Sequence, residues 1–380
     1  MSAFGGGVRT MIGLELRQRV RGVAWYVLLG VFFVVLLIVT ALATTSSAFS
    51  GNSSALVYSV VTYVVLLMVT LVSPALSGGS INSDRDAATL APVQVTLLST
   101  AQIVWGKFFA AWITGLAFLV TAAPFMIFAA ILGAGRGADS TVRYGTYAST
   151  AALADPGNPG IGALTVLCSL AVLVIEVGVI AAIGVGLSGI ISRPVLSVVT
   201  TYLVVAALSI GTLIAFGLGG TAFSSTATST NRSIEWDEET GQPTTDPPTC
   251  GEWTTYEYQA PRFDRVWWVL SANPYVILAD ATPLKFDANG QPVDLFSQIS
   301  SGVRLTQKAP ELAQTYDDCA NYNDFSAQDY PTTEEQVAGT VPSWFLGLGI
   351  HVLLALGALW WAITRTRTPA RRLPKGTRIA

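Results

Sequence analysis

Charge is what this chain has least of: 12% of its 380 residues are Asp, Glu, Lys or Arg. Soluble domains carry roughly 25%, so an ordinary soluble globule is excluded and a membrane protein is expected. Histidine occurs once, as His351, within an apolar run. That leaves no base for a Ser-His-Asp arrangement and no histidine cluster for a metal. Dense basic patches with interleaved aromatics are missing as well, which argues against nucleic acid as a partner. No G-x-x-x-x-G-K-[ST] loop occurs, so the chain does not cradle nucleotide phosphates in that manner. Neither a catalytic residue nor a cofactor of its own is therefore expected. Residues 9–21 are charged throughout and no small-residue cleavage site follows a short apolar core, so no cleaved leader is expected.

Long apolar runs are what the chain does have. A bilayer core of roughly 30 Å needs about 20 apolar helical residues. Six stretches reach that length: 23–45, 55–77, 108–132, 161–189, 195–218 and 344–363. The expected fold is an all-α polytopic membrane protein with six transmembrane helices. It divides into an N-terminal segment 1–22, spans one to five over 23–219, a long loop 220–342, span six over 343–364 and a basic tail 365–380. Charge is divided unevenly among these parts. The loop 220–342 holds eighteen Asp/Glu against six Lys/Arg, and the remainder holds six against fifteen.

That imbalance sets the orientation. With the N-terminus inside, the inner side collects Arg9, Arg17, Arg19, Arg21, Arg85, Lys107, Arg193 and the arginines of the tail, while the short outer loops keep Arg136 and Arg143. This satisfies the positive-inside rule, from which a long loop is exempt. Both termini are then cytoplasmic, the acidic loop is extracytoplasmic, and a cell membrane is the expected location. Before span one, Ile12, Leu16 and Val20 repeat at i, i+4, i+8, and Glu15 is spaced to pair with Arg19. The segment reads as a short helix on the inner membrane surface, or else as a helical extension of span one.

The first inner loop is the most patterned polar stretch. Asn82, Ser83 and Asp84 are capable N-cap residues, Asp84 and Asp86 suit a helix N-terminus, and Leu90, Val93 and Leu97 form one apolar stripe. By residues alone, segment 82–104 is either a membrane-hugging connector or a docking surface.

The stretch resembles the permease subunits of type-2 ATP-binding-cassette exporters. Those carry an acidic-basic-acidic cluster, Thr-Leu, Thr-Pro-Leu-Ser and Ile-Val-x-Gly-Lys. The matching positions are Asp84-Arg85-Asp86, Thr89-Leu90, Thr96, Leu98-Ser99, Ile103-Val104 and Gly106-Lys107, with Leu97 in place of the proline and Ala91 in place of an acid. Residues 184–194, ending Ser192-Arg193-Pro194, are similar to the family's span-four exit. Residues 271–280, with Asn273-Pro274, are similar to its segment between the last two spans. The resemblance implies a path formed by two permease chains, as homo- or heterodimer, with separate ATPase subunits docking from inside. ATP and Mg would be bound by those ATPases. Asp84, Arg85, Asp86, Thr89, Leu90, Thr96, Leu98 and Ser99 would form the main coupling segment, with Arg193 a lesser contact.

Other residues carry chemistry of their own. Glu176 lies mid-span, where an acid costs on the order of 3 kcal/mol and turns to a cavity or a partner. His351 enters span six about eight residues from its outer end, which at about 1.5 Å per residue places it roughly 10 Å shallower than Glu176. A direct pair is not expected. Ala181, Ala182, Gly184, Gly186, Ser188 and Gly189 permit close helix packing. Cys250 and Cys319 fall in the outer loop and could be a disulfide or two free thiols. Residues 222–230 read as a flexible Ser/Thr stretch, 265–281 as short helices at or dipping into the outer face, and 287–294 as an Asn-Gly turn rather than a calcium loop.

An ATP-driven exporter permease is thus the first reading, surrounded by membrane lipid. A membrane-anchored sensor that displays 220–342 and an ion-coupled transporter using Glu176 are the alternatives.

Overall fold

In the computed structural model the residues described are 3–50, 54–86, 99–135, 161–235, 249–319 and 331–366. Helix α1 (Ala3–Val20) turns at Arg21 and Gly22 into α2 (Val23–Ser50), followed by α3 (Ser54–Ser77), α4 (Ser80–Asp86), α5 (Thr100–Gly135) and α6 (Ala163–Ile190). Span five is α7 (Pro194–Ala206) and α8 (Thr212–Ala222), joined by a π-helical turn at Ala207–Gly211. Span six is a helix over Trp344–Thr366. Among the described residues six helices are long and apolar enough to cross a membrane; the protein is a multi-pass membrane protein. We call the end carrying α1 and α4 proximal and the opposite end distal.

The break at Gly22 makes α1 a separate helix, not an extension of span one. Its buried side is centred on Met11 and Glu15, and Val20 of the expected apolar stripe is 49% exposed. The reason lies on α5, where Gly106 leaves its Cβ position 2.5 Å from Met11 Cβ, so any larger residue would push α1 away. Segment 82–104 also differs from expectation. Asn82, Ser83 and Asp84 lie inside α4 rather than capping it, and Thr100 to Val104 are already the first turn of span three. Residues 87–98 between them, which include Thr89, Leu90, Thr96 and Leu98, lie outside the described residues.

Span four is the axis of the bundle. Some 61% of its most apolar window is buried, against 17% for spans one and five. Its small residues let other helices in: the Cβ positions of Gly186 and Gly189 lie 2.6 Å from Ala358 and Ala362 of span six. The stripe 181–189 therefore serves packing within the chain. The main core joins Phe32, Leu36, Tyr58, Val65, Phe118, Leu173 and Val177 to Ile277 and Phe296 of the distal region. Each large side chain so buried contributes about 1.5–3 kcal/mol on an aqueous transfer scale.

The distal region is more ordered than its composition suggests. Ser224–Arg232 form β1, a central strand antiparallel to β2 (Thr254–Pro261) and parallel to β3 (Ala313–Asp317). This corrects the reading of 222–230 as flexible. Alternation places Ala227 and Ser229 inward, and β-branched threonines fit a pleated strand. Cys250 and Cys319, 69 residues apart, are joined as a disulfide, which in the chain-entropy model is worth about 4 kcal/mol. Helices α9 (Trp267–Ser271) and α10 (Pro274–Asp280) form a hairpin buried mainly along α10, and α11 (Leu295–Leu305) and α12 (Thr333–Val337) follow before span six, α13 (Trp344–Thr366). Residues 287–294 contain a tight turn with Gly290 at φ 68°, its amide donating to Asp287 O.

Candidate functional site

Three polar clusters interrupt the apolar bundle. At the proximal end Lys107 is fully buried on the first turns of span three. Its ammonium donates to a carboxylate oxygen of Glu15 on α1, to Asp84 on α4 at 2.7 Å and to the carbonyl of Ser80 at 2.9 Å. One cation so satisfied holds three elements together. Burying a lysine is tolerable only when its donors are met by acceptors of opposite charge. Arg19 lies 4.0 Å from Glu15, the i,i+4 pair expected, and burial pulls its guanidinium below the ordinary range. Sequence supports this geometry locally: Ser99 and Gln102 form a reciprocal capping box, and Gln102 also donates to the carbonyl of Phe4 on α1. Span four joins in, since Ser188 Oγ accepts from the Ile81 and Asn82 amides and Asn82 Nδ2 donates to Ile191 O.

Midway through the bundle, Glu176 and His351 are in direct contact. His351 Nδ1 is 3.0 Å from both carboxylate oxygens, and Nε2 is 2.8 Å from the carbonyl of Ala272. This corrects the expectation that a 10 Å offset would keep them apart. Counting along straight helices assumed level ends, but span six starts from a buried position: Ser343 is fully covered and tethered beneath the distal hairpin. The geometry also fixes a proton count. Ala272 O only accepts, so Nε2 must carry a proton. An ionised carboxylate only accepts too, so either Nδ1 is protonated or Glu176 is. Either way the pair is net neutral, which suits its burial.

At the distal end Asp280 collects five donors. Ser300 Oγ and Arg304 Nε reach one oxygen at 2.6 Å each; the Ser343 amide and hydroxyl and the Trp344 amide reach the other. It therefore caps span six and ties it to α11. Asn273, at the Pro274 break, caps α10 through the Tyr275 amide and donates to Ser209 O at 2.6 Å and Thr212 Oγ1 at 2.9 Å. Ser209 lies in the π-helical turn, where the helical ladder slips and a carbonyl takes an outside donor. Tyr63 of span two donates to Tyr275 O at 3.2 Å. The hairpin is thus tied to spans two and five directly and to span four through His351. Close approach of hairpin and span six requires Gly347, whose Cβ position is 1.7 Å from Ser271 O.

Of the residues singled out by sequence, Asp84, Glu176, His351, Cys250 and Cys319 acquire partners, and Ser99 begins span three. Arg193 is exposed just before Pro194 and makes no side-chain cap. Arg85 and Asp86 end α4, but their side chains are outside what is described. Glu15, expected only to pair with Arg19, and Asn273 and Asp280, expected only as part of the 271–280 segment, turn out to anchor these clusters. A lysine on the edge of an apolar run was the available signal for the Lys107 cluster. Among the described residues no group of three His, Cys, Asp or Glu side chains is placed to hold a metal.

No protein-family model matches the sequence, and no curated protein matches it significantly.

Proposed function

We propose that this chain is the membrane permease subunit of an ATP-driven exporter of the type-2 ATP-binding-cassette kind, with its proximal end cytoplasmic. The observation that carries the reading is the Lys107 cluster. It links α1, α4 and span three through one buried cation, on the two helices that flank residues 87–98. A soluble ATPase pressing on that segment would displace α4. Asp84 and Lys107 would pass the displacement to span three, and Asn82 and Ser188 to span four. Nucleotide binding can bias such a bundle only if its contacts differ between two arrangements. The hairpin at 267–280, bonded to spans two, five and six, is then the element that closes the far side. A second permease chain would complete the path, and the exposed faces of spans one and five offer surface for it or for lipid.

The test is reconstitution. The chain with its ATPase should move solute at the expense of ATP, and scrambling residues 89–99 should release the ATPase. Full-rate transport by this chain alone in vesicles would overturn the reading.

One observation favours a second reading, an ion-coupled transporter. The Glu176–His351 pair holds a proton that either group can carry. That reading expects ATP-independent, gradient-driven flux that vanishes in Glu176→Gln; the exporter reading expects Glu176→Gln to keep ATP-dependent flux.

A further inference from the structure

We propose that Arg9 and Arg17 on α1, with Arg21 in the turn that follows it, form a binding row for the phosphate headgroups of anionic phospholipids. The three residues follow one helical row at spacings of eight and four, with Gly13 between the first two. Together with Leu14 they line an open groove of about 660 Å³. Gly13 lines it too, and a Cβ there would touch nothing within 4 Å. The arginines have no hydrogen bond or ion pair with any described residue. Glu15, the sole acid of α1, faces the other way and is bound to Lys107. Among the described residues the row is therefore a strip of positive charge with no paired acid.

Its position decides the occupant. Only Arg21 and Gly22 separate α1 from span one, so the strip lies where a membrane-crossing helix meets water. Leu14 beside it is 47% exposed, and Val20 and Val23 are 49% and 77% exposed. Uncovered aliphatic groups interleaved with cations match the boundary between headgroups and acyl chains. An acidic protein surface would satisfy the guanidinium groups but leave those aliphatic groups in water. Arginine forks bind phosphate oxygens in pairs, and each cation near an anionic leaflet is worth about a fivefold preference.

The experiment uses the purified full chain alone, without any ATPase, so it does not depend on the exporter reading. Retention of phosphatidylglycerol and of phosphatidylcholine is measured by native mass spectrometry from detergent, with inorganic phosphate as a competitor. The unmodified chain should retain phosphatidylglycerol preferentially. R9Q/R17Q/R21Q should lower that preference about a hundredfold, and R9K/R17K/R21K should keep most of it. G13E, which sets a carboxylate in the groove without removing an arginine, should lower it too and serves if the triple variant fails to fold. Competition by millimolar phosphate would mark a free-anion site and overturn the lipid assignment. Equal retention of both lipids, or an undiminished preference in both R9Q/R17Q/R21Q and G13E, would also overturn it.

Discussion

The Lys107 cluster and the Glu176–His351 pair both bury ionisable side chains in an apolar bundle, yet they are built on opposite principles. The pair is closed: two side chains 1% exposed, net neutral, with one spare ring nitrogen bonded to a carbonyl. The cluster is open. Lys107 is fully covered, but Asp84 keeps about a quarter of its side-chain exposure, and α4 leads directly into the segment after Asp86. A closed neutral pair fixes the mutual depth of two spans. The open cluster is partly solvent-exposed at Asp84, which suits the coupling role proposed above.

Breaking the cluster should give the largest effect. Lys107→Met leaves Glu15 and Asp84 facing each other without their cation, and removing one partner of a buried ion pair costs roughly 3–5 kcal/mol. Thermal unfolding in detergent should show that loss, with partial recovery in Lys107→Met/Glu15→Gln. A Lys107→Met protein as stable as the parent would refute the structural role of the cluster.

Next comes the pair, where the proton count makes a sharper prediction. Glu176→Ala strands the imidazole and should cost about 3 kcal/mol. Glu176→Gln can donate to Nδ1 of a neutral His351 and should cost about 1 kcal/mol. Equal losses in the two variants would contradict the neutral description.

Smaller again is the tether that reaches the hairpin. Asn273→Ala removes the α10 cap and uncovers Ser209 O, at a cost of about 1–2 kcal/mol. Hydrogen exchange should rise at both 271–280 and 205–212; a rise confined to the hairpin would show that the π-helical turn does not depend on it.

The smallest effect lies outside the spans. Burial pushes the Asp294 carboxyl above its ordinary value of 3.8, and burial lowers neighbouring Lys285. An acid whose folded value lies above its free value is favoured protonated. Its ionisation therefore lowers stability as pH rises through the interval above 3.8. Asp294→Asn keeps an equally good cap and should flatten the stability profile on that acid side. An unchanged profile would remove Asp294 as its source.

How much of this was legible beforehand depends on range along the chain. The six spans were readable because twenty apolar residues in succession have few other uses. The turn at 287–294 and the short helices within 265–281 were readable because their chemistry is local. The strand at 224–232 was missed because Ser and Thr suit strands and loops alike, and only pairing with β2 and β3 decides between them. Lys107 was visible as a charge at the edge of an apolar run, but its partners lie 92 and 23 residues away.

By itself, then, the sequence determined a six-span membrane bundle with a basic lead segment and an acidic distal loop, since hydropathy and charge are additive along the chain. Only the tertiary structure decided which buried ions meet. His351 reaches Glu176 across 175 residues because span six begins deep beneath the distal hairpin, and that depth comes from packing among helices, which no local pattern encodes.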